Sequence, residues 1–270
     1  MIPLSPRNRQ VRWLSELSRD PDARRENGLF VVEGWKLVSL ALQDATQIYL
    51  GESAIKTKGA QKLTDVAKSR DIPIYILSEA ALNRVSNAKS PQPVLAVATQ
   101  RQWTTSVLEE ATFVLACINM SDPGNTGAIL RIAAASGADA AIFTEGSADT
   151  YSPKAVRASA GGIFHVPILN GIPPLKMITM LHDNHLAAVG TTAHGGKPYT
   201  AYSFCEPFAL VIGNESSGLP DNIRKRMDAS ITIPLARQME SLNAATAAAI
   251  ISYEVLRQRD LQNKEAPDGV

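Results

Sequence analysis

The sequence predicts an α/β protein with two domains, and three observations support this class. Of its 270 residues, 45% are apolar and 20% are charged, which is typical of a globular chain with a sizeable core. Short β-branched and aromatic runs alternate with helical periodicity along the whole chain. The polar segment QRQWTTS interrupts this pattern. We therefore expect one domain over residues 1–100, a linker over 101–110 and a second domain over 111–270.

The first domain alternates predicted strands with predicted helices. The strand-like runs are LFVVEG, QIYLGES, IPIYILS and PVLAVAT. The helical stretches cover residues 35–43, 59–70 and 79–85. Each stretch is long enough to connect two strands across a sheet, so these residues predict a small α/β unit.

Arginines are concentrated at the start of the chain. The first 26 residues contain six arginines and four acidic residues. An arginine-rich leader is typical of an arm that contacts RNA phosphates, although the same charges also fit a solvated amphipathic helix. The candidate RNA contacts in this segment are Arg7, Arg9, Arg12, Arg24 and Arg25.

The second domain has longer apolar strands. The runs are TFVLACIN, AAIFTE, HLAAVGTT, FALVIGN and SITIPL, and a long helix is predicted from residue 242 to about 262. Near-continuous apolar strands indicate a mostly parallel sheet that is covered on both faces. Such sheets bind ligands beyond the carboxyl ends of their strands, so the loops there are expected to hold the site.

The loop SDPGNTG, residues 121–127, opens a helix after the first of these strands. Asn125 or Thr126 is expected to cap this helix. Arg131 is the only charged residue between positions 128 and 135, so we expect it to be buried. A buried guanidinium must find a partner or line a cavity, and a structural ion pair is the alternative to a functional role.

Two further loops carry polar groups. GNESSGLP, residues 213–220, contains Glu215, which can accept hydrogen bonds from a ligand or an arginine, or can be a solvated acid in a turn. IPLARQMESLN, residues 233–243, enters the alanine-rich helix AATAAAIISYEVL, with Ser241 as the expected N-cap. The amino end of a helix is also a ready site for a polar or anionic ligand.

Several function classes are excluded by missing features. No GxGxxG or Walker A element is present, which argues against a dinucleotide or nucleotide enzyme on a conventional doubly wound sheet. His and Cys do not cluster at metal-binding spacing, so no metal is expected, and Cys117 and Cys205 are predicted core thiols. No apolar run approaches the ~18 to 20 residues of a membrane span, and no secretory signal is found. We expect a cytoplasmic protein.

Together, the three loops resemble the signature motifs of the SpoU (TrmH) family of S-adenosylmethionine-dependent RNA 2′-O-ribose methyltransferases, in the SPOUT superfamily. The resemblance covers roughly residues 111–260. The segment RRENGLFVVEGWKLVSLAL resembles the substrate-binding domain of ribosomal RNA members, which is similar to a ribosomal-protein fold. SPKAVRASAG is similar to an intervening helix of the family, and its Arg157 is a further candidate RNA contact.

The resemblance implies a site, a cofactor and an assembly. It implies S-adenosylmethionine held by Thr191, Gly213, Ile233 and Leu242. It implies a catalytic centre of Asn125, Arg131, Glu215, Ser241 and Asn243. It also implies a trefoil knot and a homodimer whose active site uses both subunits. The third motif usually has a glycine where this chain has Arg237, so the loop geometry is expected to differ there or the arginine to contact RNA phosphate.

The expected reaction is methylation of a ribose 2′-hydroxyl in RNA. The extra front domain favours 23S-type ribosomal RNA as the substrate. Arginine stays protonated in proteins, so Arg131 is expected to bind the adjacent phosphate and stabilise alkoxide charge. Asn125 and Asn243 would orient the ribose, Ser241 would contact phosphate, and Glu215 would fix an arginine or a loop across the dimer. The alternatives are a tRNA 2′-O-methyltransferase and a noncatalytic RNA-binding or ribosome-assembly protein. Neither a membrane nor a DNA partner is expected.

Overall fold

The computed structural model describes residues 2–86, 88, 90–237 and 239–265, with side chains up to residue 262. It divides into two compact units. The N-terminal unit comprises the chain up to Gln102 together with Tyr151–Phe164. The C-terminal unit comprises Trp103–Thr150 and the chain from His165 onward.

Helices and strands alternate along the described chain. The α-helices are α1 (Arg9–Arg19), α2 (Pro21–Asn27), α3 (Trp35–Ala41), α4 (Lys58–Ser69), α5 (Glu79–Val85), α6 (Pro123–Ser136), α7 (Pro153–Ala158), α8 (Pro174–Asp183), α9 (Asp221–Arg224) and α10 (Ala244–Glu265). The strands are β1 (Leu29–Glu33), β2 (Ala45–Gly51), β3 (Ile74–Leu77), β4 (Val94–Thr99), β5 (Phe113–Cys117), β6 (Ala140–Thr144), β7 (Ile168–Ile172), β8 (Ala187–Thr191), β9 (Lys197–Pro198), β10 (Phe208–Ile212) and β11 (Ala229–Thr232).

The N-terminal unit is a mixed sheet with the strand order β1-β4-β2-β3. β4 runs antiparallel to both of its neighbours, and β2 pairs with β3 in parallel. The four strands and the helices α3, α4 and α5 are those that the sequence predicts. Helix α1 buries Val11, Leu14 and Leu17 in the core, because residues three apart share one helix face.

The C-terminal unit is a seven-stranded sheet with the order β7-β6-β5-β10-β8-β11-β9, and every pairing is parallel. All residues of the central strands β5, β6 and β10 are buried, which agrees with their continuous apolar runs. The predicted strands are present. The sequence did not predict the edge strands β7 and β9, because β7 contains Gly171 and β9 has only two residues.

Residues Tyr151–Phe164 lie between β6 and β7 but pack with the N-terminal unit. The sequence placed them in the C-terminal domain. Phe30 of β1 explains the difference, because its ring lies 4.8 Å from Tyr151 and 6.2 Å from Phe164, centroid to centroid. Gly161 has φ 105°, and a Cβ there would lie 2.4 Å from Leu40 Cδ1. Aromatic contacts and close packing therefore hold this segment in the core of the N-terminal unit.

Both cysteines are free thiols, but only Cys117 is a core residue as predicted. Cys205 is half-buried in the loop before β10. In the part of the chain that the structure describes, no helix is both long and apolar enough to cross a bilayer.

Candidate active site

A cavity of about 480 Å³ lies in the C-terminal unit, beyond the carboxyl ends of β8, β10 and β11. Its wall combines residues 191–194 after β8, residues 212–219 after β10, four residues around the end of β11 and five around the start of α10, the last two groups being Ser230, Ile231, Ile233, Leu235, Glu240, Ser241, Leu242, Ala244 and Ala247. This volume falls within the range of about 300 to 1,000 Å³ that is usual for small-molecule sites. The position is the one predicted from the parallel sheet.

The loop after β10 is closed by its own backbone. Asn214 and Gly218 exchange two backbone hydrogen bonds of 3.1 and 2.9 Å. A Cβ built on Gly213 would lie 2.2 Å from the carbonyl carbon of Gly218, which no real contact allows. Only glycine therefore fits at position 213, and the tight turn shapes one wall of the cavity.

Glu215 connects this loop to the loop after β5. One carboxylate oxygen accepts hydrogen bonds from Ser121 N at 3.4 Å and Ser121 Oγ at 3.2 Å. The other accepts from Asp122 N at 3.4 Å and from Asn125 Nδ2 at 2.9 Å. Glu215 thus fixes a loop of its own chain, which the sequence hypothesis of an arginine or a loop across the dimer did not include, and it contacts no arginine among the described residues.

The third motif loop, residues 233–243, is connected to the other two by a hydrogen bond between two asparagine side chains. Asn243 Nδ2 donates to Asn125 Oδ1 at 2.9 Å, so a continuous chain of hydrogen bonds runs from Glu215 through Asn125 to Asn243. The side chains that we name the Glu215–Asn125–Asn243 relay come from one residue in each of the three motif loops. The relay fixes the separation of these loops at the edge of the cavity.

Both helix caps differ from the sequence prediction. Asp122, rather than Asn125 or Thr126, caps α6, because its carboxylate accepts from Asn125 N at 3.1 Å. Asn243, rather than Ser241, occupies the cap of α10, because its Oδ1 accepts from Thr246 N at 3.2 Å. Ser241 is therefore free of a capping role, and it is exposed in the wall of the cavity.

The environment of Glu215 favours its ionised form. Burial by itself raises the pKa of this carboxyl group. The hydrogen bonds from Asn125, and then those from backbone amides including Asp122 and Ser121, outweigh burial and lower the pKa below its ordinary value of 4.5. The carboxylate is consequently an acceptor for the donors of the loop after β5 at neutral pH.

Arg131 is exposed on α6, which corrects the prediction that it is buried. The apolar sequence around it misled the prediction, because Ala128, Ile132 and Ala135 are themselves partly or fully exposed. Arg131 makes no ion pair or hydrogen bond with any residue that the structure describes. Its guanidinium is therefore a solvent-facing cation.

The four predicted cofactor residues, Thr191, Gly213, Ile233 and Leu242, all line the cavity. Glu215 and Ser241 line it too, whereas Asn125, Asn243 and Arg131 do not. The predicted site residues thus fall into one group in the cavity wall and another group outside it.

Asn214 is an organising residue that the sequence did not single out. Its Nδ2 donates to Asn119 O at 2.8 Å, and its Oδ1 accepts from Ser216 N at 2.9 Å and Ser217 N at 3.2 Å. The available signal was an asparagine directly after a strand and a glycine, which is typical of side chains that stabilise turns. Thr192 and His194 in the cavity wall were also missed.

The candidate RNA-binding arginines have different surroundings. Arg7, Arg9, Arg12 and Arg25 are exposed, and Arg25 pairs with Asp22 at 2.9 Å. Arg24 is 3% exposed, and its Nη1 donates to Leu17 O at 2.9 Å. This corrects its predicted RNA contact, because the guanidinium is used inside the unit. Arg157 is half-buried, with Nη1 3.9 Å from Glu33 Oε2.

Potential metal-binding side chains are not clustered in the described part of the chain. Within residues 2–86, 88, 90–237 and 239–265, no group of three or more His, Cys, Asp or Glu side chains is arranged to hold an ion. His182 Nε2 lies 2.9 Å from Asp228 Oδ2 on the surface, and the same oxygen accepts a hydrogen bond from Ala188 N at 2.7 Å.

The chain matches the models of two known protein families. Residues 112–253 match the model of the SpoU rRNA Methylase family. The chain belongs to this family. Residues 8–96 match a second model, the MRM3-like substrate binding domain. The SpoU match contains all three motif loops, and the second match covers most of the N-terminal unit.

Relatives of this SpoU protein match over nearly its full length. The 23S rRNA (guanosine(2553)-2′-O)-methyltransferase RlmP of Bacillus subtilis is 31% identical, covering 93% of this chain and 97% of the relative. The 23S rRNA (uridine(2479)-2′-O)-methyltransferase of Streptomyces viridochromogenes is 30% identical, covering 95% and 92%. The crystal structure of the SpoU methyltransferase AviRb from the same organism, in complex with the cofactor AdoMet, superposes with a TM-score of 0.84 at 29% identity, covering 94% of this chain and 99% of that one.

Proposed function

We propose that this SpoU protein methylates a ribose 2′-hydroxyl in 23S-type ribosomal RNA, with S-adenosylmethionine as methyl donor. One observation carries the proposal: the three motif loops meet at a cavity beyond the parallel strands, and the Glu215–Asn125–Asn243 relay joins them. Relatives that match more than 90% of this chain and are named as 23S rRNA 2′-O-methyltransferases support the same reaction.

The cavity fits this cofactor in size and chemistry. Ile233, Leu235 and Leu242 offer an apolar surface for a base, while Thr191 and backbone groups beside Gly213 offer polar partners. When bound, S-adenosylmethionine supplies a methyl group activated by its sulfonium. The task that remains for the protein is to hold the ribose hydroxyl in line, at about 3 to 3.5 Å from that carbon.

Arg131 is proposed as the electrostatic catalyst. It is an exposed cation on α6 without a described partner, so it is available to a phosphate of the substrate. A guanidinium stays protonated and cannot accept the hydroxyl proton, so that proton passes to water. Arg131 instead binds the phosphate next to the target ribose and stabilises the negative charge that develops on its oxygen.

Ser241 and the two relay asparagines are proposed to place the ribose. Ser241 is exposed in the cavity wall and has a hydroxyl to offer to phosphate. Asn125 and Asn243 hold each other at 2.9 Å, and the second proton of each amide group is left to a ribose oxygen. Glu215 acts on the substrate only through Asn125, as a positioning residue.

Ribosomal RNA is favoured over transfer RNA because of the N-terminal unit. That unit matches a substrate-binding domain and presents Arg7, Arg9 and Arg12 on its surface. Exposed arginines on one helix and its leader are suited to phosphate contacts on a large folded RNA. The cytoplasm, where ribosomal RNA resides in bacteria, is the proposed location.

A homodimer and a knotted C-terminal unit complete the proposal, both on the basis of family resemblance. We expect light scattering to give a mass twice the 29.0 kDa of one chain. A mass of one chain at micromolar concentration would contradict the shared active site.

The test is transfer of tritium from labelled S-adenosylmethionine to 23S ribosomal RNA, intact large subunits and transfer RNA in separate reactions. We expect label on ribosomal RNA or subunits, and a loss of about 100-fold or more in Arg131→Ala, the scale of losing a charge-stabilising group. Arg131→Lys should recover only part of the rate, because lysine lacks the guanidinium fork. Label on transfer RNA alone would overturn the substrate. Absence of cofactor binding would favour the noncatalytic alternative.

A further inference from the structure

Arg237 has a backbone conformation that suits glycine. It lies in the loop between β11 and α10 with φ 63°, in the left-handed region. Among the described non-glycine residues, four others have positive φ, namely Asp71, Asn119, Ala160 and His185. Asn and Asp tolerate this region because their short side chains hydrogen-bond locally, whereas arginine has no such compensation. The conformation at Arg237 is therefore strained, and the loop keeps a side chain that its geometry disfavours.

The guanidinium of Arg237 faces solvent, outside the cofactor cavity. Leu235 and Glu240, on either side of it along the chain, line the cavity, but Arg237 does not. The residue is exposed and makes no ion pair or hydrogen bond with another residue that the structure describes. An arginine that stabilised the loop would contact it, and one that held the cofactor would line the cavity. Neither role fits.

We propose that Arg237 is an RNA-binding residue of this SpoU protein, which contacts a backbone phosphate of the RNA next to the target nucleotide. The inference rests on the proposed function and adds a substrate contact to it. The loop that carries Arg237 connects the cavity residue Leu235 to Ser241 and to Asn243 of the relay, so a phosphate held there lies beside the reacting ribose. A charged fork that binds phosphate gives the chemical reason to retain a strained arginine.

The experiment compares Arg237→Gly, Arg237→Lys and His185→Gly with the wild-type protein. Arg237→Gly removes the cation and relieves the strain. Arg237→Lys keeps the charge. His185→Gly is the matched control, because His185 is also exposed at φ 57° but lies at the amino end of β8, away from the cavity. The measurements are the KM and kcat for in-vitro-transcribed 23S ribosomal RNA, its Kd at several salt concentrations, the Kd for S-adenosylmethionine, and the thermal midpoint.

We expect both glycine variants to melt at or above the wild-type temperature. Arg237→Gly alone should raise the KM and Kd for RNA about tenfold, the scale of one charge-assisted contact, and reduce the log–log salt slope by about one. Its Kd for S-adenosylmethionine should not change, and Arg237→Lys should retain most of the RNA affinity.

Unchanged RNA binding in Arg237→Gly would overturn the inference, as would a parallel loss of cofactor affinity, which would assign Arg237 to the cofactor instead. RNA binding is measured without turnover, so the two proposals fail separately. A wild-type protein that binds RNA with the Arg237-dependent slope but transfers no methyl group would refute the proposed function and leave this contact standing.

Discussion

Glu215 is the residue on which the geometry of the site depends. Its two carboxylate oxygens receive four hydrogen bonds from Ser121, Asp122 and Asn125, and Asn125 passes the connection to Asn243. Three loops that are far apart in sequence are held together by one ionised group. Loss of that charge should therefore affect both stability and activity.

Replacing Glu215 with Gln is expected to lower the free energy of unfolding by about 1 to 3 kcal/mol at pH 7, because an NH₂ group would face the donors of Ser121 or Asn125. The folded-state pKa of Glu215 is lowered, so its stabilisation is present above the ordinary value of 4.5 and is lost as pH falls through the folded pKa. Urea unfolding should thus show a difference between wild type and Glu215→Gln that shrinks below pH 4.5. Glu206→Gln, at an exposed carboxylate, is the control, and a pH-independent difference would contradict this role.

Gly213→Ala is expected to destabilise the C-terminal unit by about 1 to 3 kcal/mol and to weaken S-adenosylmethionine binding. The added methyl group would lie 2.2 and 2.4 Å from the carbonyl carbon and oxygen of Gly218, so the backbone must move. Gly59→Ala serves as the control, because its nearest neighbour is the side chain of Trp35 at 3.4 Å and the position is helical. Equal calorimetric cofactor affinities for wild type and Gly213→Ala would show that the turn does not shape the cavity.

The sequence predicted which residues gather at the site better than it predicted their surroundings. Motif positions placed Glu215 and the four cofactor residues at the cavity. Burial of Arg131 and exposure of Arg24 were both predicted wrongly, because local apolarity or charge does not determine which side of an element faces a neighbour. The relay depends on the approach of two loops that are 118 residues apart, which periodicity cannot show.

At the level of secondary structure, Arg259 in the second half of α10 binds the amino-terminal end of the sheet, opposite the cavity. Arg259 donates to Phe204 O at 3.1 Å, to Thr112 Oγ1 at 2.9 Å and to Thr112 O at 2.8 Å. Its guanidinium also lies 5.8 Å from the ring centroid of Phe113 and 5.9 Å from that of Phe208. One side chain thus joins the last helix to the start of β5 and β10.

Arg259→Ala is therefore expected to cost the C-terminal unit about 2 to 3 kcal/mol, through lost charge-assisted hydrogen bonds and cation–π contact. Arg257→Ala is the matched control two residues earlier, since Arg257 is exposed and, among the residues that the structure describes, pairs only with Glu254 in its own helix. Urea unfolding followed by circular dichroism should separate the two variants. Similar urea midpoints for the two variants would contradict a stabilising role of the Arg259 contacts.

The sequence predicted whole elements well where their signals were local. The boundaries of α5 match the prediction, and the five strands with continuous apolar runs are all present. The caps of α6 and α10 were assigned to the wrong residue of a polar cluster, because several side chains in each loop can accept the same amide hydrogen bond.

At the scale of the whole molecule, the chain leaves the C-terminal unit once, at Tyr151–Phe164, to complete the core of the N-terminal unit. The sequence predicted two domains but placed this segment in the wrong one. The segment has the ordinary helical and apolar character of either unit, and its packing is set by contacts distant in sequence, namely those of Phe30 with Tyr151 and Phe164 and the close approach of Gly161 to Leu40.

Ribose methylation is tested by locating the transferred methyl group on the nucleoside. 23S ribosomal RNA or large subunits treated with the protein and S-adenosylmethionine would be digested to nucleosides and analysed by mass spectrometry. We expect one 2′-O-methylated nucleoside above background, absent with Arg131→Ala. A methyl group on a base, or no methylated nucleoside despite bound cofactor, would contradict the assignment of this site to ribose methylation.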